Sequence, residues 1–334
     1  MWFNNIVVYQ MTESIQSNAE EIEAALEEHR LKPCPPHARQ SQGWVNPFND
    51  IEGKRYSIFG CHILVAAKEL RLLPSTIINA VLAEKMNAFE LEHNRPMRRA
   101  ESMQLKEEIE FDLLPKAFTV LKKDWLYIDD AKQWIVINGA NQNKASELIT
   151  QLTKTLGPLT AAPLSIDANL NELFSTWLRE PLSIPEGLSL QQNCLLINGK
   201  NDKSQYSCKD IEQNKEELLT LLEQGYTVSS IELAWLDRIQ FTLTDNFMLK
   251  RLKCIDYLDD AFKDNAKLEG VQEQFDANFS LLAGEVRDLI TFLIGSCHKK
   301  DAASVVGSES PIYNAPSSTT FTRCRPRKVE DRGL

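Results

Sequence analysis

A polar, charge-dense segment from Pro74 to Phe118 constrains the fold most, because it predicts a helical hairpin that projects from a mixed α/β body. Pro74 suits the start of a helix, where its missing N–H costs no hydrogen bond. Apolar residues then recur at helical spacing, and they are Ile77, Ile78, Val81, Leu82, Met86 and Phe89. The turn is predicted at 93–96, because the residue before Pro96 is disfavoured in the α region. A second helix is predicted from about Arg98 to Leu113.

Positive charge is concentrated in parts of a chain that is acidic overall. The 334 residues include 47 acidic and 37 basic side chains, which gives a formal net charge of −10. Residues 93–106, at the hairpin turn and the start of the next helix, are an exception, with one acid, Glu101, among four cations. The four cations are Arg95, Arg98, Arg99 and Lys106. Because local field matters more than net charge, such a patch is compatible with binding a polyanion.

A second basic cluster lies on a predicted strand at 247–253. Since side chains alternate across a strand, we expect Arg251 and Lys253 to share one face. Lys250 is expected on the other face, with Met248 and Leu252. One interpretation is an edge strand protected by its cations against pairing with another chain. The alternative is that both basic clusters face one cavity and follow a phosphate backbone.

The order of predicted elements indicates an α+β fold of curved antiparallel sheets flanked by helices. The strands at 228–235, 238–244 and 249–255 are joined by short turns, so they must be antiparallel. The segment 32–48 is rich in proline and polar residues and is predicted to be a long loop around a core residue, Trp44. Four regions follow from these patterns. They are a discontinuous centre (1–73 and 119–165), the hairpin (74–118), an α+β base (166–295) and a disordered tail (296–334).

Sequence motifs for common enzyme classes are missing from the chain. It contains no GxGxxG, GxxxxGK[ST], GxSxG or HExxH. Its seven cysteines form no CxxC pair and are expected to be free thiols, which fits a cytosolic protein without a metal or cofactor. No run of residues is long and apolar enough for a membrane span, so no membrane partner is expected.

One enzymatic alternative stays open at Asp129, Asp130 and Lys132, which could form the carboxylate and lysine centre of a metal-dependent nuclease. The plainer interpretation is a turn between two strands, because Asp favours turns and accepts local backbone hydrogen bonds. Two-metal centres also need further carboxylates that converge on the same point.

Phe118 is a candidate anchor of a protein interface. It follows the helix stop at Pro115 and has no helical stripe left to join. Aromatic residues are frequent energetic centres of interfaces. The alternative is ordinary core packing, since aromatic residues also dominate cores.

Short blocks spread over residues 1–294 make the chain resemble the bacterial RdgC family of recombination-associated proteins. In the first half they are Trp2-Phe3-Asn4-Asn5, Lys32-Pro33-Cys34, Gly43-Trp44-Val45, Leu73-Pro74-Ser75, Leu113-Leu114-Pro115-Lys116-Ala117-Phe118 and Leu156-Gly157-Pro158-Leu159. In the second half they are Arg238-Ile239-Gln240-Phe241, Leu249-Lys250-Arg251-Leu252-Lys253, Phe275-Asp276-Ala277-Asn278-Phe279 and Gly284-Glu285. The basic, glutamine-bearing stretch of the family appears here as Cys208-Lys209-Asp210-Ile211, with less positive charge.

The resemblance implies a ring-shaped homodimer with a positively lined hole for duplex DNA, closed by contacts between hairpin tips and between bases. It implies sequence-independent DNA binding, with single strands as a further candidate partner beside duplex DNA, and restraint of RecA-type recombinase in the cytoplasm at the nucleoid. The expected DNA contacts are Arg95, Arg98, Arg99, Lys106, Lys116, Lys250, Arg251 and Lys253. A protein-binding scaffold that acts on recombinase directly remains an alternative.

Overall fold

Twelve β-strands form one sheet, and every pair of neighbouring named strands in it is antiparallel. A computed structural model describes residues 3–13, 15, 18–48, 53–199, 204–255, 257–266, 268 and 270–297. The strands are β1 (Ile6–Met11), β2 (Gln40–Val45), β3 (Arg55–Ile58), β4 (Cys61–Arg71), β5 (Thr119–Asp129), β6 (Trp134–Asn138), β7 (Ala161–Pro163), β8 (Leu188–Asn198), β9 (Gln205–Cys208), β10 (Tyr226–Trp235), β11 (Ile239–Thr244) and β12 (Leu249–Cys254).

Eight α-helices accompany the sheet in the described ranges. They are α1 (Ala19–Glu28), α2 (Ser75–His93), α3 (Arg99–Leu113), α4 (Gln142–Leu156), α5 (Leu170–Arg179), α6 (Lys215–Glu223), α7 (Tyr257–Asn265) and α8 (Val271–Cys297). Measured over the same ranges, none of them combines the length and the apolar character needed to cross a bilayer. The predicted tail at 296–334 lies outside the described residues, except that 296 and 297 continue α8.

The sheet is continuous from the predicted centre region into the predicted base region. Its strand order is β2-β4-β5-β6-β1-β12-β11-β10-β8-β9, with β3 beside β4 and β7 beside β1. The two regions join where Ile6 of β1 pairs with Leu249 of β12. The backbone N–H of Leu252 also donates to the carbonyl of Asn4 at 2.8 Å. The N-terminal strand therefore makes one sheet of two regions that are distant in sequence.

Helices cover the two faces of this sheet unequally. On the first face, α1 and α4 pack over the centre strands, through residues such as Leu26 and Leu148. On the second face, α5, α6 and α8 form a larger core that reaches both regions. In α8, Phe279 packs edge-on against Tyr127 of β5 at a centroid distance of 5.3 Å. Over β8–β12 no described helix packs on the first face, which leaves that surface open.

Two parts of the molecule extend past the same end of the sheet. Strand β6 stops pairing with β5 at the Leu126–Ile137 pair, yet β5 and β4 stay paired as far as Thr119 and Arg71. On the other side, β12 continues beyond Leu249 in the same direction. We call residues 65–71 and 119–125 with α2 and α3 the hairpin arm. Strands β5 and β12 are three strand spacings apart in the sheet order. At about 4.8 Å per spacing, the hairpin arm and β12 therefore start about 14 Å apart.

The helical hairpin agrees closely with the sequence prediction. Helix α2 begins after Pro74 and ends at His93, and Asn94 adopts a left-handed conformation with φ of 51° in the turn. Helix α3 then runs from Arg99 to Leu113. The hairpin packs largely on itself and not on the sheet, so each helix has one buried residue, Ile78 in α2 and Ile109 in α3.

One prediction about an irregular segment was wrong. Residues 40–45 of the predicted loop form β2, because they pair in register with β4 from Gln40–Leu70 to Val45–Val65. Trp44 is nonetheless a core residue, as predicted, with 1% of its surface exposed. Helix α5 likewise packs Phe174 and Trp177 into the core. Both elements depend on partners that are distant in sequence.

Candidate nucleic-acid interface

The basic strand β12 contains a β-bulge at Arg251. Thr242 of β11 pairs with Lys250, whereas Gln240, two residues earlier, pairs with Lys253, three residues later. One residue of β11 therefore faces two residues of β12, which is the arrangement of a bulge. Arg251 adopts φ of 54°, a left-handed conformation that is common at bulges and unusual for arginine.

The bulge overturns the predicted alternation of side chains. Lys250 and Lys253 pair with residues of one β11 face, so they lie together on the open first face of the sheet. Leu249 and Leu252 are buried on the second face, three residues apart instead of two. The prediction that Lys250 shares a face with Leu252 was wrong, because the extra residue shifts the phase of the strand. Arg251 is exposed at the bulge itself.

At the hairpin turn, Arg95 is engaged within its own chain. Its guanidinium donates two hydrogen bonds to the Glu101 carboxylate, at 2.9 and 2.8 Å, and lies 4.8 Å from the centroid of the Phe89 ring. Hydrogen bonds from Arg95 and from the Arg98 backbone lower the pKa of Glu101 to about 2. Arg95 therefore fixes the turn, and its charge is already paired.

The remaining predicted cations are available to a ligand. Arg98, Arg99, Lys106, Lys116, Arg251 and Lys253 are exposed, and Lys250 is half-buried. Across the described part of the chain, none of them forms an ion pair. They fall into two groups, one on the hairpin arm or beside it and one on β12. The sheet register carries the foot of the hairpin and the cations of β12 past the same end of the sheet.

The sequence prediction missed two exposed lysines on the hairpin arm. Lys122 and Lys123 lie on the part of β5 that extends beyond β6. Leu126 of the same strand is buried on the first face of the sheet. Because side chains at even spacing along a strand share a face, Lys122 lies on that face with Lys250 and Lys253. Two adjacent lysines near the start of a long strand are a pattern from which this basic site could have been predicted.

Phe118 lies at the foot of the hairpin with 85% of its surface exposed. Its carbonyl accepts a hydrogen bond from the N–H of Leu72 at 2.8 Å, which holds the backbone while the ring faces solvent. Leu72, Leu121 and Ile77 are each about half exposed around the same strand ends. The exposure excludes core packing within one chain. An apolar cluster of this kind is typical of an interaction surface.

Asp129 is buried and is held by three hydrogen bonds within the chain. It is 1% exposed, and its Oδ2 accepts a hydrogen bond from Nε of Arg287 at 2.7 Å. Its Oδ1 accepts from the backbone N–H groups of Ala131 and Lys132, at 3.0 and 3.2 Å. This is the turn favoured by the sequence, fixed by an ion pair with α8.

Asp130 is likewise engaged outside any carboxylate cluster. Its Oδ2 lies 2.7 Å from Nε2 of His62, whose Nδ1 is 2.8 Å from Oγ of Ser57. Lys132 lies over the ring of Trp134 at 5.7 Å. Among the described residues, no group of three or more metal-ligating side chains converges.

Ile211, where the RdgC pattern is lost, is a core residue with 4% exposure. Its backbone N–H donates to the carbonyl of Gln192 at 3.1 Å. Asp210 accepts from the backbone N–H of Gln213 at 3.1 Å and so stabilises the turn before α6. These contacts give both residues a structural role in their immediate surroundings.

Comparisons with known proteins agree over nearly the whole chain. A family model described as "Putative exonuclease, RdgC" matches residues 1–299. Recombination-associated protein RdgC of Proteus mirabilis is 31% identical over 295 residues, which cover 88% of this chain and 97% of the relative. The protein of that name from Pseudoalteromonas translucida is 32% identical over 292 residues, which cover 87% and 95%. The Psychromonas ingrahamii protein is 31% identical over 297 residues, which cover 89% and 98%. The chain belongs to the RdgC family of recombination-associated proteins.

Proposed function

We propose that this protein binds duplex DNA without sequence preference as a ring-shaped homodimer. By occupying DNA, it restrains a RecA-type recombinase in the cytoplasm, at the nucleoid. The observation that carries the proposal is the placement of unpaired cations on two extensions past one end of a single sheet. Arg98 and Arg99 lie on the hairpin arm, and Lys250 and Lys253 lie on β12.

This placement favours a DNA cavity over a protected edge strand. Strand β12 lies between β1 and β11, and beyond its pair with β1 the N–H groups of Arg251 and Leu252 donate to Asn5 and Asn4, so its cations do not protect a free edge. The chain as a whole carries −10, so its other surfaces repel a polyanion. A polyanion is therefore drawn to the region between the two extensions. Phosphate contacts without base readout give affinity that does not depend on sequence.

Binding should depend steeply on salt. Phosphate neutralisation gives a log–log slope of about −0.9 per contact, so six to ten contacts weaken binding roughly 10³- to 10⁵-fold between about 50 and 200 mM salt. Fluorescence anisotropy with two unrelated duplexes of equal length measures both the slope and the sequence dependence. Equal affinity at low and high salt would contradict the proposal.

The same samples test nuclease activity, which the description of the family model raises. The engagement of Asp129 and Asp130 argues for a binding protein without catalysis. Labelled duplex incubated with Mg²⁺ or Mn²⁺ is expected to stay intact. Cleavage that is lost in Asp129→Ala would overturn this part of the proposal.

Phe118→Ser is expected to open the proposed ring at the hairpin. Because the ring of Phe118 is exposed in the single chain, its loss should leave the free energy of unfolding within about 0.5 kcal/mol of the original. Loss of a central aromatic anchor costs an interface about 2 kcal/mol or more. Light scattering should show a lower mass near the dissociation constant, with unchanged circular dichroism. The control is Leu236→Ser, which changes a half-exposed apolar residue outside the hairpin. An unchanged mass for Phe118→Ser would remove this interface.

A further inference from the structure

The bulge in β12 is held by the residues that precede β1. Strand β1 begins at Ile6, which pairs with Leu249, so the N–H groups farther along β12 need other acceptors. Asn5 supplies one of them, because its side-chain Oδ1 accepts a hydrogen bond from the backbone N–H of Arg251 at 3.2 Å. The backbone carbonyl of Asn4 accepts from the N–H of the next residue of β12 at 2.8 Å. A side chain and a carbonyl thus continue the pairing where β1 has ended.

The bulge brings Arg251 to the surface of the sheet. In a regular strand, residues two apart share a face, so Arg251 would lie on the second face with the buried Leu249. Arg251 is instead exposed, and it lines a shallow depression on the open first face together with Lys250. Bulges of this kind re-aim single side chains and are frequent next to functional sites. The register irregularity therefore adds a cation to the face that already presents Lys250 and Lys253.

The backbone of Arg251 has a conformation that a residue with a Cβ rarely adopts. Its φ of 54° lies in the left-handed region, which glycine enters at much lower cost. The hydrogen bond to Asn5 stabilises this conformation, because Asn5 is itself fixed. Its backbone carbonyl accepts a hydrogen bond from the N–H of Gly139 at 3.1 Å, in the loop after β6. An arginine at a position that glycine fits better indicates a role for the guanidinium group.

The charges around Arg251 leave its guanidinium available to a ligand. Asp245 faces the same depression, and its carboxylate accepts a hydrogen bond from Nδ2 of Asn171 at 3.2 Å. In the ranges that the structure describes, no ion pair joins Arg251 to Asp245 or to another acid. Arg251 thus differs from Arg95, whose charge is paired within the chain.

We propose that Asn5 is a positioning residue for DNA binding, which holds the bulge and so directs the guanidinium of Arg251 at a phosphate of the duplex. The inference rests on the proposed function and adds to its binding surface a neutral residue that is 246 positions away from Arg251 in the sequence. Asn5 acts through Arg251 and makes no contact with DNA itself. Its acceptor is a side-chain oxygen, so one substitution removes the acceptor and keeps the backbone bond to Gly139.

Asn5→Ala should weaken DNA binding and flatten its salt dependence, although it changes no charge. Without the acceptor the bulge is no longer fixed, and Arg251 is lost as a phosphate contact. The slope changes by about 0.9 per contact, and the proposed dimer carries the change twice. Loss of both contacts therefore alters the slope by up to about 1.8 and weakens binding by up to about 60-fold near 0.1 M salt. Fluorescence anisotropy of a labelled duplex over a series of salt concentrations measures both quantities.

A double-mutant cycle shows whether Asn5 acts through Arg251. In an Arg251→Ala background, Asn5→Ala should change neither affinity nor slope further, because the side chain on which it acts is gone. The matched control is Asn4→Ala, since Asn4 accepts through its backbone carbonyl, which the substitution keeps. This control should retain the affinity and the slope of the original protein. A further loss in the double variant would mean that Asn5 contacts DNA or supports the fold by itself, and it would overturn the inference.

Arg251→Gly tests the strained backbone independently of DNA. Because glycine suits a φ of 54°, Arg251→Gly should have a higher thermal midpoint than Arg251→Ala, while both lose the same DNA affinity. The reverse order of midpoints would contradict the strained bulge on which the inference depends.

The outcomes also separate the inference from the proposed function. If the original protein binds no duplex, or binds it with the same affinity at low and high salt, the proposed DNA binding itself fails. If it binds with a steep salt slope and folded Asn5→Ala keeps that slope, only the role of Asn5 fails. Circular dichroism of each variant shows whether it is folded.

Discussion

Arg287→Met is expected to lower the free energy of unfolding by about 3–5 kcal/mol, because it leaves the Asp129 carboxylate charged and buried. Asp129 is 1% exposed, and the guanidinium of Arg287 is its cationic partner at 2.7 Å. The hydrogen bond to Asp129 raises the pKa of Arg287, so the guanidinium stays charged at any working pH. Urea denaturation followed by tryptophan fluorescence measures the loss.

The size of this effect follows from where the pair lies. Asp129 ends β5 in the predicted centre region, and Arg287 lies on α8, which packs under both regions. Burial also raises the pKa of the neighbouring Cys61 thiol to about 11 and keeps Tyr127 protonated. No other cation is close enough in the described chain to replace Arg287 as an ion-pair partner of Asp129.

Two further variants show whether the loss of stability comes from the burial of the Asp129 charge. Arg30→Met removes an arginine whose partner Glu27 is half exposed, and it should cost less than about 1 kcal/mol. Asp129→Asn combined with Arg287→Met removes both charges, so it should be more stable than Arg287→Met alone. A loss in Arg287→Met no larger than that in Arg30→Met would contradict the structural role of the pair.

Reversing three cations of the two extensions should nearly abolish DNA binding. At about 0.1 M salt each lost phosphate contact removes about 0.9 log units of affinity, and the proposed homodimer carries each change twice, so losing six contacts costs roughly 10⁵-fold and flattens the slope by about 5.4. The variant is Arg98→Glu, Arg99→Glu and Lys253→Glu. Added repulsion makes the expected loss a lower limit.

A matched variant separates the position of the charges from their number. Lys154→Glu, Arg179→Glu and Lys215→Glu change the net charge equally at exposed sites outside both extensions. This control should lose much less affinity at the same salt concentration. Equal losses in the two variants would mean that net charge alone governs binding, which would contradict the placement argued above.

The same pair of variants tests how the protein acts on recombination. If it restrains recombinase by occupying DNA, the variant that no longer binds DNA should no longer inhibit strand exchange. Inhibition that persists without DNA binding would favour the alternative of a scaffold that contacts the recombinase directly.

Much of this fold could be predicted from the sequence, because it depends on interactions between residues that are close along the chain. The hairpin was predictable because Pro74, Pro96 and the apolar spacing act within one or two helical turns. The turn at Asp129 was predictable for the same reason, since its carboxylate bonds to the backbone of the next few residues. The grouping of cations at the hairpin turn and on β12 was also visible in the sequence.

Contacts between distant residues decided the rest. The bulge at Arg251 depends on the register with β11, and it moved Lys250 to the face of Lys253 against the simple alternation. The burial of Asp129 depends on Arg287, 158 residues later. The sequence by itself determined the helical hairpin and where positive charge lies. Only the tertiary structure decided which cations share a face and which are already paired, because strand register and ion pairing join groups that local spacing does not relate.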